Sequence, residues 1–197
     1  MSAAAPSFAD LMARNRFPDD VRSLAIAGCL AQALQSGRRP LVRGLSQASF
    51  DRMLRTCFAG VELRNGSSPG VDEADLDEFD DLLALLLEHR ADGNELGVWL
   101  SCCVASASMD DRHLWQDMGL PSRAILSRLL ATSFPELAAR NTGDMKWKKF
   151  FYRQLCQRAG LSICRSPNCS DCSDYFACFG PELALTDPTA RLHATQP

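Results

Sequence analysis

The 197-residue chain is 46% hydrophobic and 23% charged, ordinary for a protein that builds one core without disulfide staples, and its length argues for a single domain. A net charge of −3 argues against general nucleic-acid binding, and no apolar run approaches the ~18 residues of a membrane span. Residues 1–20 lack a basic stretch followed by an apolar core, so no secretory signal is expected. The expectation is a cytoplasmic, reducing compartment, in which nine cysteines point to metal or redox work rather than to disulfides.

In chain order, residues 1–18 read as a flexible N-terminal segment. Residues 20–36 read as a helix opening after Asp19-Asp20 and stopping at Gly37, with apolar residues on more than one face, the pattern of a well-buried helix. Residues 46–59 follow Ser46 as N-cap, and Phe50, Met53, Leu54, Cys57 and Phe58 recur at helical spacing. Residues 65–70 (NGSSPG) are a loop. Residues 73–92 form a helix with Leu76, Phe79, Leu83, Leu86 and Leu87 on one stripe. Its first half carries most of an acidic run from Asp72 to Asp81, where the helix dipole favours acids.

Asn94 can cap a helix over 95–108, with Leu96, Trp99, Leu100, Cys103 and Ala107 inward and small residues elsewhere for close packing. Residues 110–120 read as a loop-rich connection and 122–132 as a helix, followed by a short turn from Ser133 through Ala139. A last helix spans 144–159, from Asp144 as cap to Gly160, with Trp147, Phe150, Phe151 and Leu155 as its core stripe. No strand or repeat signal is present. The expected fold is all-α, with a helical domain over 19–160, a cysteine-rich C-terminal metal-binding loop over 161–182, and a disordered tail over 183–197.

That loop carries the chemistry. Cys164-x4-Cys169-x2-Cys172-x5-Cys178 puts four thiols within fifteen residues. A two-residue gap lets both sulfurs of Cys169 and Cys172 reach one centre, and Cys164-x4-Cys169-x2-Cys172 has the spacing of the first three ligands in plant-type ferredoxins, whose fourth cysteine lies far downstream. A compact set of four cysteines can hold an iron–sulfur cluster of the three-iron or four-iron type. Zinc is the rival, although structural zinc sites usually use two CxxC pairs and this chain has one. Disulfides or free thiols are the remaining alternative. Tyr175, Phe176 and Phe179 interleave with the thiols and are candidates for limiting water access, or for ordinary packing. Between Lys146 and Arg165 lie the bases Lys146, Lys148, Lys149, Arg153, Arg158 and Arg165 with no acid among them. They suit charge compensation of thiolates, attraction of an acidic partner, or simply a solvated helix face.

Five cysteines lie outside the loop. Cys57 and Cys103 fall on core stripes, where a free cysteine packs as a small hydrophobe. Cys102 and Cys156 fall off the stripes, Cys29 has no assigned role, and Cys156 is not counted among the ligands. His113 is a candidate second-shell donor, His89 sits near a helix end, and His193 is in the tail. No catalytic triad order, phosphate-binding glycine loop or HExxH motif is present, so no turnover enzyme is expected.

The run Trp147 to Cys156 (WKKFFYRQLC), the four-cysteine spacing, and Cys178-Phe-Gly-Pro-Glu182 together resemble the NifQ family of nitrogen-fixation proteins. The segment His113 to Leu120 (HLWQDMGL) and the Phe134-Pro135 turn share the resemblance, which runs from about Ser46 to Glu182. It implies an iron–sulfur protein that carries molybdenum and donates it to iron–molybdenum cofactor biosynthesis. The implied ligands are Cys164, Cys169, Cys172 and Cys178, and the implied partners are the NifEN scaffold, the nitrogenase iron protein and molybdate, which the bases from Lys146 to Arg165 would attract. Two other readings remain beside it, a zinc-stapled helical interaction module and an iron–sulfur electron-transfer protein.

Overall fold

A computed structural model describes residues 5–67, 73–161, 164 and 169–182. All regular structure among them is helical, and their only β-type pairing is an isolated bridge between Asn15 and Phe58. The chain forms two compact units, residues up to Asn141 and residues from Thr142 onward. The last long helix therefore lies with the residues from Thr142 onward.

The first unit holds α1 (Phe8–Ala13), α2 (Val21–Ser36), α3 (Gln47–Cys57), α4 (Glu73–Glu88), α5 (Glu95–Ser108), α6 (Leu114–Asp117), α7 (Arg123–Ser133) and α8 (Pro135–Ala139). Side-chain caps start several of them: Asp20, Ser46, Asn94 and Ser122 each accept from a backbone N–H in the first turn. Within the segment read as a flexible lead-in, Ser7 and Asp10 form a capping box and Leu11 of α1 is fully buried. The connection over 110–120 contains α6, which the Arg112–Asp117 pair helps to fix: buried Asp117 accepts from Arg112 N–H at 3.0 Å and from Arg112 Nε at 2.9 Å.

At the centre is α5, which contacts α2, α4 and α6. Every residue from Trp99 to Ser108 is buried. A helix buried all round must satisfy its own hydroxyls, and Ser101 and Ser108 donate back to the carbonyls of Gly97 and Val104 at 2.8 Å. Cys102, off the expected stripe, is therefore buried like Cys103. One backbone approach has no room for a side chain: a Cβ on Gly28 of α2 would run into the Met118 carbonyl, and one on Gly119 would sit 2.6 Å from the Gly28 oxygen.

The second unit contains α9 (Trp147–Arg158), a 3-10 turn at Cys169–Asp171 and α10 (Tyr175–Phe179). Trp147, Phe150 and Phe151 form the buried stripe of α9, their rings 5.7–6.1 Å apart, while Leu155 is only partly buried. The helix begins later than expected. Asp144 takes a left-handed φ of 53°, a turn conformation that Asp tolerates, and Lys146 occupies the cap position. The tail expected to be disordered, 183–197, lies outside the described residues, as do Arg165 and His193.

Candidate functional site

The cysteine segment is tied to the start of α9 by the backbone. Lys146 N–H donates to the Cys178 carbonyl at 2.8 Å, and Lys146 Nζ donates to the Phe176 carbonyl at 3.2 Å. The Phe176 carbonyl also accepts from Gly180 N–H at 2.9 Å, and the lysine cation suits the negative end of the α10 dipole. Gly180 then has to be glycine, because a Cβ there would lie 2.5 Å from the Phe176 oxygen. Within the segment, Cys172 N–H donates to the Cys169 carbonyl at 3.2 Å, closing the 3-10 turn. That turn brings positions three apart onto one side, which is what the CxxC pair requires.

The four thiols are available but not gathered. Cys164 is exposed, and Cys169, Cys172 and Cys178 are partly buried. Among the described residues, no three His, Cys, Asp or Glu side chains converge on a point that could hold a metal ion. Their fields nevertheless overlap. Partial burial raises the Cys178 thiol above its ordinary value, Lys149 works against that, and the like charges of Cys172, Cys164 and Cys169 raise it further. Arg153 Nη1 lies 3.7 Å from Cys169 Sγ, within donating distance of a thiolate.

Lys146, Lys149 and Arg153 are thus the expected bases that the structure brings to the segment. Lys148 is one residue and so about 100° round α9 from Lys149, off that stripe. His113 belongs to the first unit, where it caps α6 and its N–H donates to Gln116 Oε1 at 3.2 Å. The aromatics do not form a lid. Phe176 is 76% exposed and Tyr175 is 42% exposed. Phe179 stacks on Tyr175 at 4.8 Å, and its ring edge would lie 3.3 Å from a Cβ on Gly143.

In donor chemistry this set fits a soft-metal or iron–sulfur centre: four cysteine sulfurs, one turn presenting a CxxC pair, and cations beside two of the thiols. A metal would have to draw the four into one coordination sphere.

A second thiol cluster, in the first unit, has no signal in the sequence. Cys29 of α2 and Cys103 of α5 are both fully buried. Cys29 donates to the Cys103 carbonyl at 3.7 Å, and Arg38 Nη2 donates to Cys29 Sγ at 3.5 Å. Arg38 is itself paired with Asp110. A hydrogen bond from the Cys103 thiol, then the Arg38 charge, bring Cys29 down to about 7 against the cost of burial. Cys103 is pushed well above its ordinary value by the same pairing and by burial. The partners are 9 and 74 residues from Cys29 along the chain, so no local pattern announces them.

The fold and the site together define a class: an all-helical protein that presents a four-cysteine segment beside the cationic face of a helix. The family model for NifQ matches residues 25–180. Protein NifQ of Rhodobacter capsulatus is 38% identical over 169 residues, covering 80% of this chain and 89% of the relative. Protein NifQ of Azotobacter vinelandii is 38% identical over 156 residues, covering 73% and 80%. Protein NifQ of Klebsiella pneumoniae is 44% identical over 97 residues, covering 43% and 58%. The chain belongs to the NifQ family of nitrogen-fixation proteins. No solved structure matches it.

Proposed function

We propose that this protein carries molybdenum on an iron–sulfur cluster and donates it, by protein contact, to the machinery that builds the iron–molybdenum cofactor of nitrogenase. Cys164, Cys169, Cys172 and Cys178 would hold the cargo, and the receiving partners would be the NifEN scaffold and the nitrogenase iron protein. It would act in the cytoplasm as a carrier with no turnover chemistry of its own. The observation that supports this reading best is the pairing of Arg153 with Cys169 Sγ beside Lys149 at Cys178. Cations there offset the charge that four thiolates concentrate, without burying them.

The rest follows from what a carrier must do. Thiolates are the donors that molybdenum and iron prefer in sulfide-rich chemistry. Partial exposure leaves the cargo open to a receiving protein, where a closed cage would retain it. Lys146 holds the carbonyls of Phe176 and Cys178, so one end of the segment stays anchored to α9. Lys148 and Lys149 would also face an acidic partner. Their joint replacement by Glu should weaken donation at low salt and have less effect at high salt.

The deciding experiment is metal and sulfide content with a visible spectrum, on protein purified without oxygen from cells supplied with molybdate. Brown protein containing iron, sulfide and molybdenum is the expected result. Replacing Cys169 and Cys172 together by Ser should abolish both cluster and donation, and donation surviving that change would sink the proposal. Iron and sulfide without molybdenum would favour an electron-transfer protein. Colourless protein with zinc would favour a zinc-stapled interaction module.

A further inference from the structure

We propose that Cys29 and Cys103 form an oxidisable thiol pair, in which Cys29 is the nucleophile, Cys103 closes the disulfide, and the reagent is a hydroperoxide. The pair lies wholly in the first unit, apart from the four-cysteine segment, and does not depend on the carrier reading.

The site is built around Arg38, and both of its Nη atoms are fully used. Nη1 meets the Ser106 carbonyl at 3.4 Å and the Asp110 carboxylate. Nη2 meets the Leu41 carbonyl at 3.1 Å and Cys29 Sγ at 3.5 Å. A guanidinium held this far from water calls for anionic partners, and among these acceptors only Asp110 and Cys29 can carry charge. Cys29 also has a second thiol at hand. As a thiol it donates to the Cys103 carbonyl at 3.7 Å. As a thiolate it accepts from the Cys103 thiol, which is within hydrogen-bonding reach. Charge on Cys29 and a proton on Cys103 is therefore the arrangement that Arg38 favours, and it divides the pair into an attacking sulfur and a resolving one. Cys57 is the contrast in the same core: burial and the nearby Asp20 charge push its thiol up to about 11.

Arg38 is also the cover. Cys29 and Cys103 are fully buried, whereas the Arg38 side chain is 11% exposed and that of Asp110 is 30% exposed. Solvent meets the ion pair before it meets the thiols, so a swing of Arg38 off Asp110 is the opening that would admit a small oxidant. The Cys29 thiolate then attacks the terminal oxygen of the hydroperoxide. A sulfur–oxygen bond forms, the oxygen–oxygen bond breaks, and the departing alkoxide takes a proton from solvent to leave as an alcohol, or as water when the reagent is hydrogen peroxide. The Cys103 sulfur attacks the resulting sulfenic sulfur. The disulfide forms, the sulfur–oxygen bond breaks, and hydroxide leaves with the Cys103 proton as water. The two thiols lose the two electrons that the peroxide gains. The product ties α2 to α5 and takes the anionic sulfur away from Arg38.

The test uses the full chain, reduced, with hydrogen peroxide as the probe. After timed exposure the remaining thiols are alkylated in denaturant, and each cysteine is read by mass spectrometry of a non-reducing digest. Cys29 should be lost faster than Cys57 by about tenfold or more in the same molecules, a ratio from which global unfolding cancels. A link from Cys29 to the peptide carrying Cys102 and Cys103 should accumulate. That link should persist in Cys102→Ser and vanish in Cys103→Ser, where dimedone should instead trap Cys29 as a sulfenic acid. Arg38→Met keeps the cover and removes the cation, and it should lower the ratio of Cys29 loss to Cys57 loss by about fivefold or more. Equal loss of Cys29 and Cys57 overturns the inference. So does a link that survives Cys103→Ser, or a ratio unchanged or raised in Arg38→Met. Should Arg38→Met fail to fold, the ratio in the unaltered chain and the two serine variants decide the matter.

Discussion

Cysteine occurs in two settings in this chain, and the contrast separates packing from chemistry. In the first unit, Cys29, Cys57, Cys102 and Cys103 are buried. Burial pushes Cys57 up to about 11 and Cys102 up to about 12, so both stay protonated and behave as small hydrophobes. In the second unit, Cys164, Cys169, Cys172 and Cys178 are exposed or partly so, with cations beside two of them. Cysteine count alone says nothing about a metal site. What distinguishes the second group is that a reagent, a metal or a partner can reach it without opening the fold. Cys29 is the instructive exception, since it combines complete burial with an arginine partner that favours its thiolate.

The contrast is most directly broken by alkylation of the native, reduced protein. The four segment cysteines should react faster than the four buried ones by a factor of about 1,000 or more, because the buried thiols react only through opening. Comparable rates would show that the first unit does not protect its thiols. The next largest effect is Leu100→Ala in α5, at a fully buried position. It should cost about 2–5 kcal/mol, seen as a lower denaturant midpoint, and should speed labelling of Cys102 and Cys103 while leaving Cys164 unchanged.

A third test sharpens the exception. The Cys29 thiol is depressed from 9.0 to about 7 in the folded protein, so its contribution to stability is complete above about 9 and is lost as pH falls through about 7. Cys57 and Cys102 have the opposite sign: their contribution is complete below 9 and is lost as pH rises through about 11 and about 12. Between pH 7 and 9, unfolding free energy of the protein minus that of Cys29→Ser should therefore rise, by no more than about 1.4 kcal/mol per pH unit. A flat difference would mean that Arg38 does not support a thiolate there. The smallest effect is expected for Arg153→Gln. Beside a largely solvated segment it should change stability by less than about 1 kcal/mol, yet weaken Cd2+ protection of Cys169 against alkylation more than that of Cys178.

Much of the helical content was legible because helix formation is decided locally. Ser46 and Asn94 are caps as their sequence context predicts, and α5 begins and ends where its pattern does. Asp144 misled because an Asp before an apolar run reads as a cap, whereas the backbone there turns left-handed and the helix waits until Trp147. Helix α1 was not legible because one buried leucine in a six-residue helix is too short a period to register.

By itself, the sequence determined the candidate donor set. Four cysteines at fixed spacing and a basic helix just before them are properties of covalent order, and so is the family to which the chain belongs. Tertiary structure decided which cysteines are hidden and which basic residues meet a thiol. Cys102 is buried because α5 is surrounded, not because of its own neighbours in sequence. Arg153 reaches Cys169 because folding sets the 3-10 turn beside α9, while Lys148, equally basic and closer to the helix start, is turned off that stripe. Burial and side-chain pairing depend on elements far apart in the chain, and only packing brings those together.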